Sequence, residues 1–158
     1  MAKVFLGFMG SGKSTIAERL DKNYVDMDVV ITERLGMSIA KYFEEKGEAS
    51  FRQIESQVLA ELLSQDIVLS TGGGVVISEA NRKLLAKNSP NIYLSADFES
   101  LYQRLSQDQE NQRPLFLNQS KASLKRLYEQ RLPLYEAVAT QIIDVIGKKP
   151  EEIVEMLS

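Results

Sequence analysis

The sequence predicts an α/β fold, a three-layer α/β/α arrangement around a five-stranded parallel sheet. Five short strand-like runs, at residues 4–6, 23–25, 67–69, 91–94 and 142–145, alternate with stretches of helical periodicity. Strands separated by helices need crossover connections, and these give parallel strands with helices on both faces. The run Ile67-Val68-Leu69 is continuously apolar instead of alternating, as a strand covered on both sides should be. Finally, Gly7, Gly12, Lys13 and Ser14 fit the pattern G-x-x-x-x-G-K-[ST] between the first strand and the first helix, which marks the P-loop NTPase type of this class.

In such sheets ligands sit beyond the carboxyl ends of the strands, so the residues just after each strand carry the interest. After residues 4–6 comes the loop GFMGSGKST. Its glycines let backbone N–H groups turn inward, and the helix opening at Ser14 adds partial positive charge, so a polyphosphate fits there. Lys13 would reach the β- and γ-phosphates, and the Ser14 hydroxyl would ligate Mg²⁺. After residues 23–25 comes Asp26-Met27-Asp28. One carboxylate suits Mg²⁺ through water, and the other suits orienting or deprotonating an acceptor hydroxyl. After residues 67–69 comes Ser70-Thr71-Gly72-Gly73-Gly74, where three glycines in a row imply close approach of a ligand to the backbone.

The intervening segments read as helices with definite ends. A helix over 29–35 stops at Gly36, Ser38 caps a helix carrying Ile39, Tyr42 and Phe43, and Gly47 ends it. The longest helix, about 49–63, has Phe51, Ile54, Val58 and Leu62 on its core stripe. Arg52 and Glu55, three apart, share a face where the carboxylate can hold the guanidinium. Ser78 caps a helix to about Lys87, and Phe98, Leu101, Tyr102 and Leu105 recur at helical spacing. Residues 106–119 lose periodicity around Arg113-Pro114-Leu115 and read as a long functional loop, a mobile lid. Helical spacing resumes at Leu124, Leu127 and Tyr128 and is expected to end at Arg131, before Pro133. Gly147 to Pro150 forms a turn, and Ile153, Val154 and Leu157 mark a last helix.

Composition narrows the chemistry. The 158 residues suit a single domain, 1–158, without repeats or linkers. Apolar residues make up 44% and charged residues 26%, and no apolar run nears the roughly 20 residues of a bilayer span, so a cytoplasmic protein without membrane partner is expected. There is no cysteine, which excludes thiolate nucleophiles and zinc–thiolate sites. There is no histidine either, so proton transfer falls to a carboxylate or to water. With a net charge of −3 and no basic block, nucleic acid is disfavoured as a partner. The cations Lys13, Arg52, Arg113, Arg131 and Lys148 instead point to small anionic substrates. Arg113 in the lid would cover the transferring phosphoryl group, and Arg131 or Arg52 would clasp a carboxylate.

The ordered set GFMGSGKST, VDMD, FRQIE, LSTGGG, RPL and QRLPLYEAVA resembles the shikimate kinases over essentially the whole chain. That resemblance implies a five-stranded sheet related to the nucleoside monophosphate kinases, a closing lid, and a substrate-binding helical segment over about 29–63. It also implies transfer of the γ-phosphoryl of Mg-ATP to the 3-hydroxyl of shikimate by a monomer, within aromatic amino acid (chorismate) biosynthesis. Residue by residue, it implies that Gly10, Ser11, Gly12, Lys13, Ser14 and Thr15 hold the ATP phosphates. Ser14 would take the Mg²⁺ and Asp26 its water shell. Asp28 would bind shikimate hydroxyls and act as base, while Arg52 and Arg131 bind the carboxylate, Glu55 supports Arg52, and Gly72, Gly73 and Gly74 line the pocket. Arg113 would be the catalytic lid arginine, and Lys148 and Pro150 would lie near the adenine. The segment between Leu20 and Tyr24 is shorter than in the family, which implies an early end to the first helix. The stretch 106–112 lacks a family arginine, for which Arg104 is the substitute. A guanine-reading [NT]-K-x-D motif, expected of a GTPase switch, is missing, and gluconate-type kinases are not expected to hold both FRQIE and the RLPLY arginine.

Overall fold

The computed structural model describes residues 1–107 and 120–157 of the chain. Five parallel strands, β1 (Lys3–Leu6), β2 (Val25–Asp26), β3 (Val68–Ser70), β4 (Asn91–Ser95) and β5 (Gln141–Asp144), form one sheet in the order β2-β3-β1-β4-β5. The helices are α1 (Lys13–Leu20), α2 (Met27–Leu35), α3 (Ile39–Lys46), α4 (Glu48–Leu63), α5 (Glu79–Ala86), α6 (Phe98–Gln107), α7 (Lys121–Val138) and α8 (Pro150–Leu157). The predicted α/β fold with its five-stranded parallel sheet is thus the one observed.

The pleat of the central strands divides the interior into two cores. Val4 and Leu6 of β1, Leu69 of β3 and Tyr93 of β4 pack with Met27, Ile31 and Leu59 from α2 and α4 on one face. Phe5, Val68, Ile92 and Leu94 alternate to the opposite face and meet Ile16, Ala17, Leu101 and Ile153 from α1, α6 and α8. Continuous apolar strands were legible for this reason: both sides of each are buried.

Helix ends follow local chemistry. Ser38 and Ser78 accept from the N–H groups of Lys41 and Asn81 as side-chain caps, and Gly36 ends α2 in the left-handed region at φ 70°. The expected strand at 23–25 instead covers Val25 and Asp26, and α2 begins at Met27, not at 29. The reason is capping: Asp26 Oδ1 accepts from the Asp28 backbone N–H at 2.9 Å, which fixes Asp28 in the first helical turn. At the other end of the chain, α7 does not stop before Pro133 but runs through it to Val138. A mid-helix proline costs about 3 kcal/mol, and burial of Tyr135 and Val138 beyond it, at about 2 kcal/mol each or more, offsets that cost. The continuation sets Tyr135 one turn beyond Arg131. Ser106 and Gln107, expected in the lid, close α6, and the remainder of that segment, with Arg113, lies outside the described residues. No described helix is long and apolar enough to cross a membrane.

Leu69 on β3 is fully buried between α2, α4 and the neighbouring strands. Leu69→Ala is expected to lower unfolding free energy by about 3 kcal/mol in urea titration, through lost burial and the cavity left behind. An unchanged midpoint would contradict this core assignment.

Candidate active site

The carboxyl ends of β1, β2 and β3, which neighbour one another in the sheet, open into one cleft of about 670 Å³. Its lining brings together most of the residues singled out from the sequence: Gly10, Gly12, Lys13, Ser14 and Thr15 from the loop after β1, Asp26 and Asp28 around the end of β2, and Gly72, Gly73 and Gly74 after β3. Arg52 and Glu55 enter from α4 and Arg131 from α7. Ser11 belongs to the loop but is buried beneath it, and Lys148 and Pro150 do not line the cleft. Lys148 Nζ donates to the Asp144 carbonyl at 2.7 Å, beyond the end of β5.

The phosphate loop holds its shape through glycine and through its own lysine. Gly10 and Gly12 adopt φ of 85° and 91°, a region that other residues rarely tolerate. Lys13 Nζ donates back to the Gly7 carbonyl at 2.5 Å and the Phe8 carbonyl at 3.3 Å. From α6, Arg104 Nη1 donates to the Gly10 carbonyl at 3.2 Å, so this arginine touches the loop directly. Ser14 Oγ lies 3.1 Å from Ser70 Oγ and 3.5 Å from Asp26 Oδ2. A hydroxyl and a carboxylate this close at the mouth of the phosphate loop are the hard oxygen donors Mg²⁺ prefers, and they fit that ion. Among the described residues no group of three or more His, Cys, Asp or Glu side chains forms a metal cage.

Across the cleft, Arg52 and Arg131 are drawn out of bulk water. Arg52 Nη1 donates to both Glu55 oxygens at 3.0 Å and to the Gly74 carbonyl at 3.2 Å, while its guanidinium lies 5.2 Å from the Phe51 ring centre. Glu55 is buried, and burial pushes its carboxyl above the usual carboxylate range, with Arg52 and then Asn81 opposing that shift. Arg131, only 8% exposed, packs 5.9 Å above Phe8, and burial lowers its pKa. Nε of both arginines is buried without a hydrogen-bond partner among the described residues. Two guanidiniums with unspent donors beside one cleft are a receptor for an anion.

Asp28 stands between the loop and these arginines. Removal of its carboxyl from bulk water by the cleft walls raises its pKa, the Asp26 charge adds to the rise, and Lys13 and Arg52 oppose it. The three glycines acquire an unexpected meaning here. A Cβ on Gly72 would stand 2.8 Å from Asp28 Oδ1, one on Gly73 3.4 Å from Arg131 Nη1, and one on Gly74 2.9 Å from Arg52 Nη2. The turn is bare because three site side chains approach it, not merely a ligand. Sequence reasoning passed over Tyr135, whose hydroxyl donates to the Gly73 carbonyl, and Asn81, whose amide reaches Glu55. The i, i+4 spacing of Tyr135 from Arg131 was the available signal, hidden by ending the helix at Pro133.

A phosphate-cradling loop facing a carboxylate and two largely withdrawn guanidiniums on a five-stranded parallel sheet defines a P-loop phosphotransferase for small anionic acceptors. The comparisons with known proteins agree on the family. Its model, described as shikimate kinase, matches residues 9–158. A shikimate kinase of Streptococcus thermophilus is 51% identical over 99% of this chain and 98% of that protein, and one of Streptococcus gordonii is 50% identical with the same coverage. The solved shikimate kinase of Acinetobacter baumannii in complex with shikimate superimposes with a TM-score of 0.88 at 32% identity, covering 99% of this chain and 89% of that one. The chain belongs to the shikimate kinase family.

The strained electrostatics of Asp28 carry a signature. A carboxyl whose pKa is raised by folding favours the fold while protonated, below its ordinary value of 3.8, and that contribution is lost as pH rises through the raised value. Asp28→Asn is therefore expected to raise the thermal midpoint at neutral pH, with the gain shrinking on acidification. A midpoint that falls at neutral pH would refute this reading of the cleft.

Proposed function

We propose that the chain transfers the γ-phosphoryl group of ATP to the 3-hydroxyl of shikimate, giving shikimate 3-phosphate for aromatic amino acid (chorismate) biosynthesis. The observation that carries this reading is the pair of cleft arginines, Arg131 buried and Arg52 partly buried, with Nε of each left without a partner among the described residues, across a cleft from the phosphate loop. Shikimate offers what that arrangement lacks: a carboxylate for the arginines and hydroxyls for Asp28.

In this reading Gly10, Ser11, Gly12, Lys13, Ser14 and Thr15 hold the ATP phosphates through backbone N–H groups and the Lys13 ammonium. Ser14, with Asp26 acting through water, would hold Mg²⁺, which when bound neutralises charge on the transferring phosphoryl group. Arg52, fixed by Glu55, and Arg131 bind the carboxylate of the acceptor and so set its hydroxyl toward Asp28. Asp28 orients that hydroxyl and takes its proton, a task its raised pKa suits in a chain without histidine. Backbone of Gly72, Gly73 and Gly74 lines the acceptor side. Arg113 is assigned to the phosphoryl group as the lid closes, and Lys148 and Pro150 to the neighbourhood of the adenine. The enzyme is assigned to the cytoplasm, as a monomer using ATP and shikimate. Because phosphoryl transfer has a loose transition state, alignment and charge neutralisation carry most of the rate.

A coupled assay of ADP release with shikimate, gluconate or no acceptor tests the substrate. Turnover is expected with shikimate alone, and indifference to shikimate would overturn the assignment. In the same assay Arg113→Ala is expected to lower kcat far more than it raises the KM for shikimate. An unchanged kcat would remove Arg113 from the reaction.

A further inference from the structure

We infer that Asn81 on α5, which lines no part of the cleft, is a positioning residue for acceptor binding, acting by holding Glu55 and through it Arg52. The inference rests on the shikimate reading above and deepens it.

Asn81 is fully buried, and its short side chain is used at both ends. Nδ2 donates to Glu55 Oε1 and to the Val75 carbonyl, both at 2.9 Å, and Oδ1 accepts from Ser56 Oγ at 2.6 Å. Both amide hydrogens are therefore placed, which fixes the plane of the group. One amide thus ties α5 to α4 twice and to the backbone just after the glycine turn. Its target is the buried carboxylate that receives Arg52 Nη1 on both oxygens.

The position of Arg52 needs such a hold because a competing acid is near. Glu48 Oε2 lies 3.9 Å from Arg52 Nη2 and its side chain is 60% exposed on the cleft rim. If Glu55 turned, or lost its charge, the guanidinium would swing outward to Glu48 and away from the Gly74 carbonyl it now meets at 3.2 Å. Asn81 opposes both events. Its N–H restricts rotation of the carboxylate, and hydrogen bonding to the charged form keeps Glu55 ionised against its burial. The charged groups acting on Glu55 are Arg52 of its own helix and Asp28 of α2, while Glu48 and Arg131 act on Arg52 in turn.

A residue needed only for folding would weaken everything together; a positioning residue splits the kinetic constants. Asn81→Leu keeps the volume and removes the donors. Loss of a hydrogen bond to a buried charged group is expected to raise the KM for shikimate about tenfold, with the KM for ATP within about twofold of the parent. Because burial raises the Glu55 pKa and Asn81 opposes that rise, the ratio of variant to parent KM for shikimate should also fall as pH is raised and Glu55 ionises, whereas Asp28 is common to both proteins and largely cancels. Equal rises in both KM values, a rise independent of pH, or an unchanged KM for shikimate would each overturn the inference. If Asn81→Leu does not fold, Ser56→Ala decides: it frees only the amide oxygen, and should raise the KM for shikimate about threefold while sparing that for ATP. No change there counts against Asn81. A parent enzyme that ignores shikimate overturns the proposed function and this inference together; a responsive parent with an indistinguishable variant overturns this inference alone.

Discussion

Three missing Cβ atoms set the dimensions of this site. The turn Gly72-Gly73-Gly74 leaves β3 at the centre of the cleft, and each glycine is faced by one side chain: Asp28, Arg131 and Arg52 in sequence order of the glycines. A methyl group at Gly72 or Gly74 would meet a carboxylate or guanidinium atom below 3.0 Å, so the carboxylate and the arginine would have to retreat. Their separation from one another, and from the phosphate loop on the neighbouring strand, depends on this bare backbone. The conformational entropy that three glycines give up on folding is the accompanying cost.

Around that turn the chain keeps more charge out of water than stability alone would favour. Glu55 and Arg131 are 3% and 8% exposed, and burial shifts the pKa of each toward its neutral form. Particular neighbours oppose these shifts, Arg52 and Asn81 for Glu55 and Tyr135 and Glu48 for Arg131, while Asp28 and Arg52 respectively add to them. Arg52 and Asn81 donate to Glu55, and Phe8 lies beneath Arg131 with its own ring held edge-on by Tyr128 at 5.5 Å. Phe8 is a residue of the phosphate loop. An apolar residue of the phosphate loop therefore forms the floor under the Arg131 guanidinium, so the two ends of the cleft share one packed wall.

Much of this was legible in the sequence, and the rest was hidden for identifiable reasons. Apolar runs and capping residues gave the strands and most helix ends, because burial on both faces and caps such as Ser38, Ser78 and Gly36 act locally. The pattern around Lys13 disclosed the phosphate loop, and the spacing of Arg52 and Glu55 disclosed their pairing. Two boundaries moved where a local rule met a stronger partner. Asp26 capped the helix that follows it and drew Asp28 into its first turn, and tertiary burial of Tyr135 carried α7 through Pro133. Asn81 was not legible at all. An asparagine in a polar helical segment looks solvated until the fold lays that face against a carboxylate 26 positions earlier.

Asp26 shows how few residues the chemistry needs once geometry is right. One oxygen of its carboxylate accepts from the backbone of Asp28 and so orients the proposed base; the other faces Ser14 in the phosphate loop at 3.5 Å. Its charge also raises the pKa of Asp28, next in size to the effect of burial. A single side chain thereby positions Asp28, raises its pKa and presents an oxygen to the phosphate loop. In a chain with neither histidine nor cysteine, basicity has to be made from carboxylates. Crowding two of them at one strand end raises the pKa of the second, while Lys13 and Arg52 oppose the rise and favour its ionised form.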